Sequence, residues 1–233
     1  MLDLVWKDLI QGRRMLAFYL VVGAVIATSL AFALKDVGAV VALQMTLSVY
    51  GYAIRSTYDE DKNRALLFLK GLPLSDAAIV TSKFLSTFMV AVVFAVFSGG
   101  LAVVAQGIIA PRVGTWAAPG DAVVTSSLVL GSFLSVASFF GVLLVVLAVY
   151  LAMFFCLGYA RAAAYNRMVM LGVFAVAMAV SAAIGRAQVQ APAWAATLGR
   201  SVWLPLLVAG AGIVLYVAGC LVSIGWVRAH DWS

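Results

Sequence analysis

Charge is scarce in this chain. Of its 233 residues fifteen are Lys or Arg and nine are Asp or Glu, 10% together, against about a quarter in an ordinary soluble domain. Hydrophobic residues make up 65%, too many to hide in one core, so a soluble globular domain is excluded. Histidine occurs once, as His230, and cysteine twice, as Cys156 and Cys220, both inside apolar runs without a neighbouring His, Asp or Cys. Such thiols act as small hydrophobes, and neither a disulfide framework nor a metal site is expected. Strands that alternate apolar and polar residues are missing, which excludes a membrane barrel. No G-x-x-x-x-G-K-S/T loop is present, and Gly99-Gly100 and Gly210-x-Gly212 lie inside apolar runs, away from any water-exposed phosphate cradle. The chain is therefore not expected to hydrolyse ATP or to act as an enzyme by itself. Every Asp and Glu falls at or beyond an apolar run's boundary, so intramembrane catalysis and ion-coupled transport both lack their buried carboxylate.

What is present is a series of apolar runs about twenty residues long, each enough for a helix to cross a hydrocarbon layer roughly 30 Å thick. The expected class is all-α, a polytopic membrane protein with one transmembrane domain over 1–233. Basic residues cluster at the ends of the runs, where they orient the chain and meet anionic membrane lipid, so the formal charge of +6 does not point to nucleic acid. Residues 1–14 place Leu2, Val5, Trp6, Leu9 and Ile10 at helical spacing opposite Asp3, Lys7, Asp8 and Gln11. That pattern suits an interfacial amphipathic helix, with a merely solvated start to the first span as the alternative.

Spans one and two occupy 15–54 (about Met15–Leu34 and Gly38–Ile54), and the first is read as a retained helix rather than a cleaved signal peptide. Span three is expected over Phe84–Ile109, four over Val136–Gly158, five over Met168–Ile184 and six over Leu204–Val227, with an outer-face segment at 110–135 and a tail at 228–233. The stretch Asp121–Tyr159 has no charge after its first residue; it reads either as a re-entrant or outer-face helix followed by one span, or as two spans. With six spans and both ends inside, Lys7, Arg13, Arg14, Arg55, Lys62, Arg64, Lys70, Lys83, Arg161, Arg167 and Arg228 face the cytosol, against Lys35, Arg112, Arg186 and Arg200 outside. With seven spans the bias shrinks to ten against five, so composition alone does not choose. Gln44 and Gln106 are the deepest polar groups, read as helix-to-helix hydrogen bonders before substrate ligands.

The long polar break is 55–83, RSTYDEDKNRALLFLKGLPLSDAAIVTSK, with nine of the twenty-four charges. Asp59, Glu60 and Asp61 suit a helix N-terminus and Lys70 its C-terminus, Pro73 ends that helix, and Ser75 caps the next. A short helix with an apolar tip, Leu66 to Leu69, could sit in a partner's groove. The alternative is a solvated loop.

Tyr58-Asp59-Glu60-Asp61-Lys62-Asn63-Arg64, Leu66-Leu67-Phe68-Leu69-Lys70-Gly71-Leu72-Pro73-Leu74-Ser75 and Ser82-Lys83-Phe84-Leu85 resemble the first cytosolic loop of bacterial ABC type-2 permeases. Trp6-Lys7-Asp8-Leu9 and Gly158-Tyr159-Ala160-Arg161 also match, whereas Asp76 stands where the family often has a basic residue. The resemblance implies a six-helix exporter half with an N-terminal elbow helix, in the cell membrane. It would work as a homo- or heterodimer with a second permease chain and bind two ABC ATPase subunits, which hold the ATP and Mg; this chain has no cofactor of its own. It further implies a coupling helix in Asp59–Lys70, with Leu66, Leu67, Phe68 and Leu69 for apolar seating, Glu60, Asp61 and Arg64 for polar registration, Pro73 and Ser75 at its turn, and Trp6, Lys7 and Asp8 as a second contact. The implied cargo is amphipathic or hydrophobic, foremost peptide, with lipid-linked compounds and small drugs also fitting. A non-transporting membrane anchor or sensor, and then a channel, are the other classes.

Overall fold

The structure, a computed structural model, describes residues 2–34, 41, 44–63, 68–69, 71, 74–104, 126–165, 167–169, 172 and 203–229, and of 2, 27–28, 30–34, 126–129 and 131–132 the backbone alone. Among the described residues all regular structure is helical. Helix α1 is Leu2–Leu34; a π turn at Thr46–Tyr50 runs on into α2, Gly51–Lys62; α3 is Asp76–Val104, α4 Ser126–Leu157 and α5 Trp203–Ala229. Among the described residues four stretches are long and apolar enough to cross a membrane: Asp3–Ile26, Asp76–Val104, Phe133–Leu157 and Trp203–Ala229. They correspond to expected spans one, three, four and six. Of span two only 41 and 44–54 are described, and span five lies almost wholly outside the described residues, as do 105–125 and the tail after 229.

Several boundaries differ from the sequence expectation. The elbow and the first span form one helix of 33 residues, about 50 Å long, because no proline or cap interrupts it at Arg13 and Arg14. The hydroxyl-rich start of 121–159 is likewise not a separate helix: from Ser126 onward it is part of a continuous 32-residue α4. Ser138 of α4 donates to the Leu134 carbonyl (3.0 Å) and Ser29 of α1 to the Val25 carbonyl (2.8 Å), each four residues earlier, so these hydroxyls need no water and mark no break. Gly158 ends α4 with φ +79, a left-handed turn that glycine adopts without strain, and the chain turns into short helical stretches at 159–165 and 167–169.

Helices α3 and α4 hold the centre, with Phe84, Val90, Phe94, Leu144, Leu147, Tyr150 and Phe154 packed against Met45, Val49 and Tyr52 of the second span. The most extensive helix pair is α4 with α5. Their backbones touch where Gly141 meets Gly212, and Gly219 rests on Ala148 one heptad further on; a methyl group on Gly212 would land on the Gly141 backbone. Small residues are what allow so close an approach between helices in lipid. Large apolar side chains on α1 (Phe18, Val21, Val25) and α5 (Leu207, Val214, Leu221) point outward.

Candidate functional site

One end of the bundle gathers the charged residues of α1, α2 and α3. Helix α2 continues eight residues beyond the expected end of span two, so that Asp59, Glu60 and Asp61 occupy its last turns rather than the start of a new helix. Acidic side chains are unfavourable at a helix C-terminus. Here cations offset them: Arg55 pairs with Asp59 at 3.3 Å one turn away, and Lys83 of α3 pairs with Glu60 at 2.7 Å. Asn63 closes the helix, its N–H donating to the Asp59 carbonyl at 3.1 Å.

Lys83 is the hub. Ser75 caps α3, accepting from the Ala78 N–H at 3.2 Å as the sequence predicts, so Lys83 lies two turns inside a helix, with 3% of its surface exposed. Its ammonium donates to Glu60 Oε1 and to Ser56 Oγ, each at 2.7 Å, and stands 3.8 Å from Asp8 Oδ2 of α1. Ser86, one turn on, places its hydroxyl 3.3 Å from the same Asp8 oxygen. Lys7 reaches Asp8 Oδ1 at 3.8 Å from a half-exposed position. Three helices are thus joined by a buried ion pair and its flanking carboxylate, an arrangement whose rupture leaves an uncompensated charge. Burial raises the Glu60 carboxyl above its ordinary value; the Lys83 ammonium opposes this and the Asp8 carboxylate adds to it.

Two further contacts extend the site. Thr57 and Tyr150 share a buried hydroxyl–hydroxyl bond between α2 and α4, and Tyr58, with the Arg55 guanidinium 5.1 Å from its ring centre, packs on Tyr159 just after the Gly158 turn. Tyr216 of α5 donates to the Phe84 carbonyl at 2.8 Å, next to Lys83.

The sequence-selected residues divide between surface and interior. Trp6, Lys7, Asp61 and Ser75 are exposed, whereas Asp8 and Glu60 are turned inward onto Lys83. Phe68 is 71% exposed while its neighbour Leu69 is 7% exposed. Leu69 is inserted beside Leu4, Ile79 and Phe155, against the same space that Asp8, Glu60 and Lys83 line. Gly71 closes a turn on the Phe68 carbonyl (3.1 Å). Arg64, Leu66, Leu67 and Pro73 lie outside the described residues. Lys83, Ser56, Ser86, Thr57 and Tyr150 escape sequence reasoning as members of this site. The one available signal is the position of Lys83 eight residues after the Ser75 cap, too deep in a helix for a loop residue.

Among the described residues no group of three His, Cys, Asp or Glu side chains is placed to hold a metal ion. No curated protein and no solved structure matches the chain. Residues 3–227 match the family described as ABC-2 family transporter protein. With apolar spanning helices and a match over nearly its whole length, the chain belongs to that family, as a membrane-embedded permease component of an ABC transporter.

Proposed function

We propose that the chain is one half of a dimeric exporter in the cell membrane, with six spans, both termini cytosolic and the Lys83 end facing the cytosol. Family membership implies an ABC ATPase partner in general; in this reading separate ATPase subunits seat on the segment around Phe68 and drive amphipathic or hydrophobic cargo, foremost peptide, outward. The observation that carries the reading is the division of labour between two adjacent residues. Phe68 stands free of the bundle, and Leu69 is wedged beside the ion pair that ties α1, α2 and α3. A force applied to Phe68 is then delivered to three helices at once, which is what alternating access requires of its input. Asp61, Trp6 and Lys7 flank this knob as the polar and interfacial contacts, while Asp8 and Glu60 transmit rather than touch the partner.

The two residues separate docking from folding. Phe68→Asp should leave insertion and unfolding unchanged but cut cargo-stimulated ATPase activity of the reconstituted complex about tenfold or more, the scale of an interface anchor worth over 1.4 kcal/mol. Leu69→Asp should destabilise the chain itself, since it places a carboxylate in an apolar seat. Normal coupling with Phe68→Asp would remove the docking assignment. ATPase binding without any cargo-dependent turnover would leave a membrane anchor instead of an exporter.

A further inference from the structure

Beside the ion pair, between α1 and α2, lies a cavity of about 30 Å³ lined by Asp8, Gln11, Tyr52, Ser56, Asp59 and Glu60. Its lining is rich in oxygen, and each of its carboxylates already has a cation within 4 Å. Three carboxylates face it against the single guanidinium of Arg55, which Asp59 already engages at 3.3 Å. Lys7 and Lys83 lie on the other flank of Asp8 and Glu60, lining the smaller space under Leu69. Glu60 uses one carboxylate oxygen for Lys83; the other, Oε2, is buried without a hydrogen-bond partner among the described residues. Tyr52 is 2% exposed, and its hydroxyl, near Ser56, also lacks a partner in hydrogen-bonding geometry among the described residues. Gly12 makes room for that hydroxyl, since a methyl group there would stand 2.6 Å from it. A buried carboxylate oxygen left without a donor is costly, and with the Tyr52 hydroxyl on the same cavity it calls for an occupant.

We propose that this cavity binds one monovalent alkali cation, held by the free oxygen of Glu60, the Asp8 carboxylate, the Tyr52 and Ser56 hydroxyls and the Gln11 amide oxygen. Hard cations take oxygen ligands of this kind. A volume of about 30 Å³ exceeds the roughly 10–15 Å³ that one water-sized sphere needs, enough for one ion that keeps part of its water shell. A divalent ion is disfavoured because the Glu60 charge is already engaged by Lys83 and the Asp59 charge by Arg55. The ion would complete the joint between α1 and α2 at the Glu60 oxygen that Lys83 does not engage.

The test is thermal unfolding of the purified full-length chain in detergent, followed by tryptophan fluorescence, in NaCl, KCl and N-methylglucamine chloride at equal ionic strength. This readout involves no ATPase partner, so it is independent of whether Phe68 docks one. Sodium or potassium should raise the midpoint saturably, by about 4 °C at roughly ten times the dissociation constant, and the better of the two identifies the ion. Tyr52→Phe, which keeps the ring packing, should weaken the half-saturating concentration about tenfold. Gly12→Ala, which displaces the Tyr52 hydroxyl, should do the same, and Glu60→Gln should abolish the response. Identical midpoints in all three salts would mean the cavity holds only water and would overturn the proposal. So would an alkali-specific shift that survives unchanged in both Tyr52→Phe and Glu60→Gln.

Discussion

Replacing Lys83 by Met keeps a linear, helix-compatible stem of similar volume and removes only the ammonium. What it leaves behind is a Glu60 carboxylate with 10% of its side chain exposed, still facing Asp8, with its former partner gone. Breaking one side of a buried pair costs about 3–5 kcal/mol, more than the pair itself is worth, because the remaining charge is stranded. For a chain of this size that is a fall of roughly 10 °C in the unfolding midpoint. The double variant Lys83→Met with Glu60→Gln removes the stranded charge as well and should recover most of the loss, giving a coupling of about 2–4 kcal/mol in a double-mutant cycle. The assay is thermal or denaturant unfolding in detergent, read by fluorescence with all four proteins of the cycle side by side. If Lys83→Met stays within about 1 kcal/mol of the parent, or if the double variant is as damaged as the single one, Lys83 does not hold the three helices together.

Gly212→Val should disrupt the contact of α4 with α5, since its first added carbon meets the Gly141 backbone rather than a movable side chain; overpacking of this kind costs about 1–3 kcal/mol or more. Gly210→Val, where an added carbon meets nothing within 4 Å among the described residues, is the control that should stay near the parent, and equal loss in the two would refute the close-approach argument. A pH series tests Glu60. Its carboxyl is raised in the folded chain, so the folded state takes up that proton at a higher pH than the unfolded chain does. The stabilisation is fully present below the ordinary carboxylate value and is lost as pH rises through the folded one. In alkali-free buffer the unfolding midpoint should fall as pH climbs from about 4, and Glu60→Gln should flatten that fall; an unchanged slope would assign the dependence to another group.

Local signals were readable in the sequence and long-range pairings were not. The Ser75 cap, the tight placement of α5 over Trp203–Ala229 against the expected Leu204–Val227, and the concentration of charge near 55–83 all follow from neighbours within a few residues. The pairing of Lys83 with Glu60 and Asp8 joins positions 23 and more residues apart in sequence, and nothing local announces it. The three acids of 59–61 suggested a helix start because the dipole favours them there; cations borrowed from one turn back and from α3 override that preference. The hydroxyl-rich run around the start of span four suggested a separate helix because hydroxyls usually seek water; the bond of Ser138 to the Leu134 carbonyl removes that need for its own hydroxyl.

Helix α1 carries Asp8 near its beginning and runs unbroken to Leu34. The distance from the ionic joint to its far tip is about 40 Å at 1.5 Å per residue, with no kink where motion could be absorbed. Such a rod is a lever: a tilt of about 5° imposed at the Asp8 end sweeps the opposite tip sideways by roughly 3 Å, nearly the width of a methyl group. Small displacements at the proposed ATPase seat would therefore arrive at the far end of α1 enlarged, without any second hinge along the way.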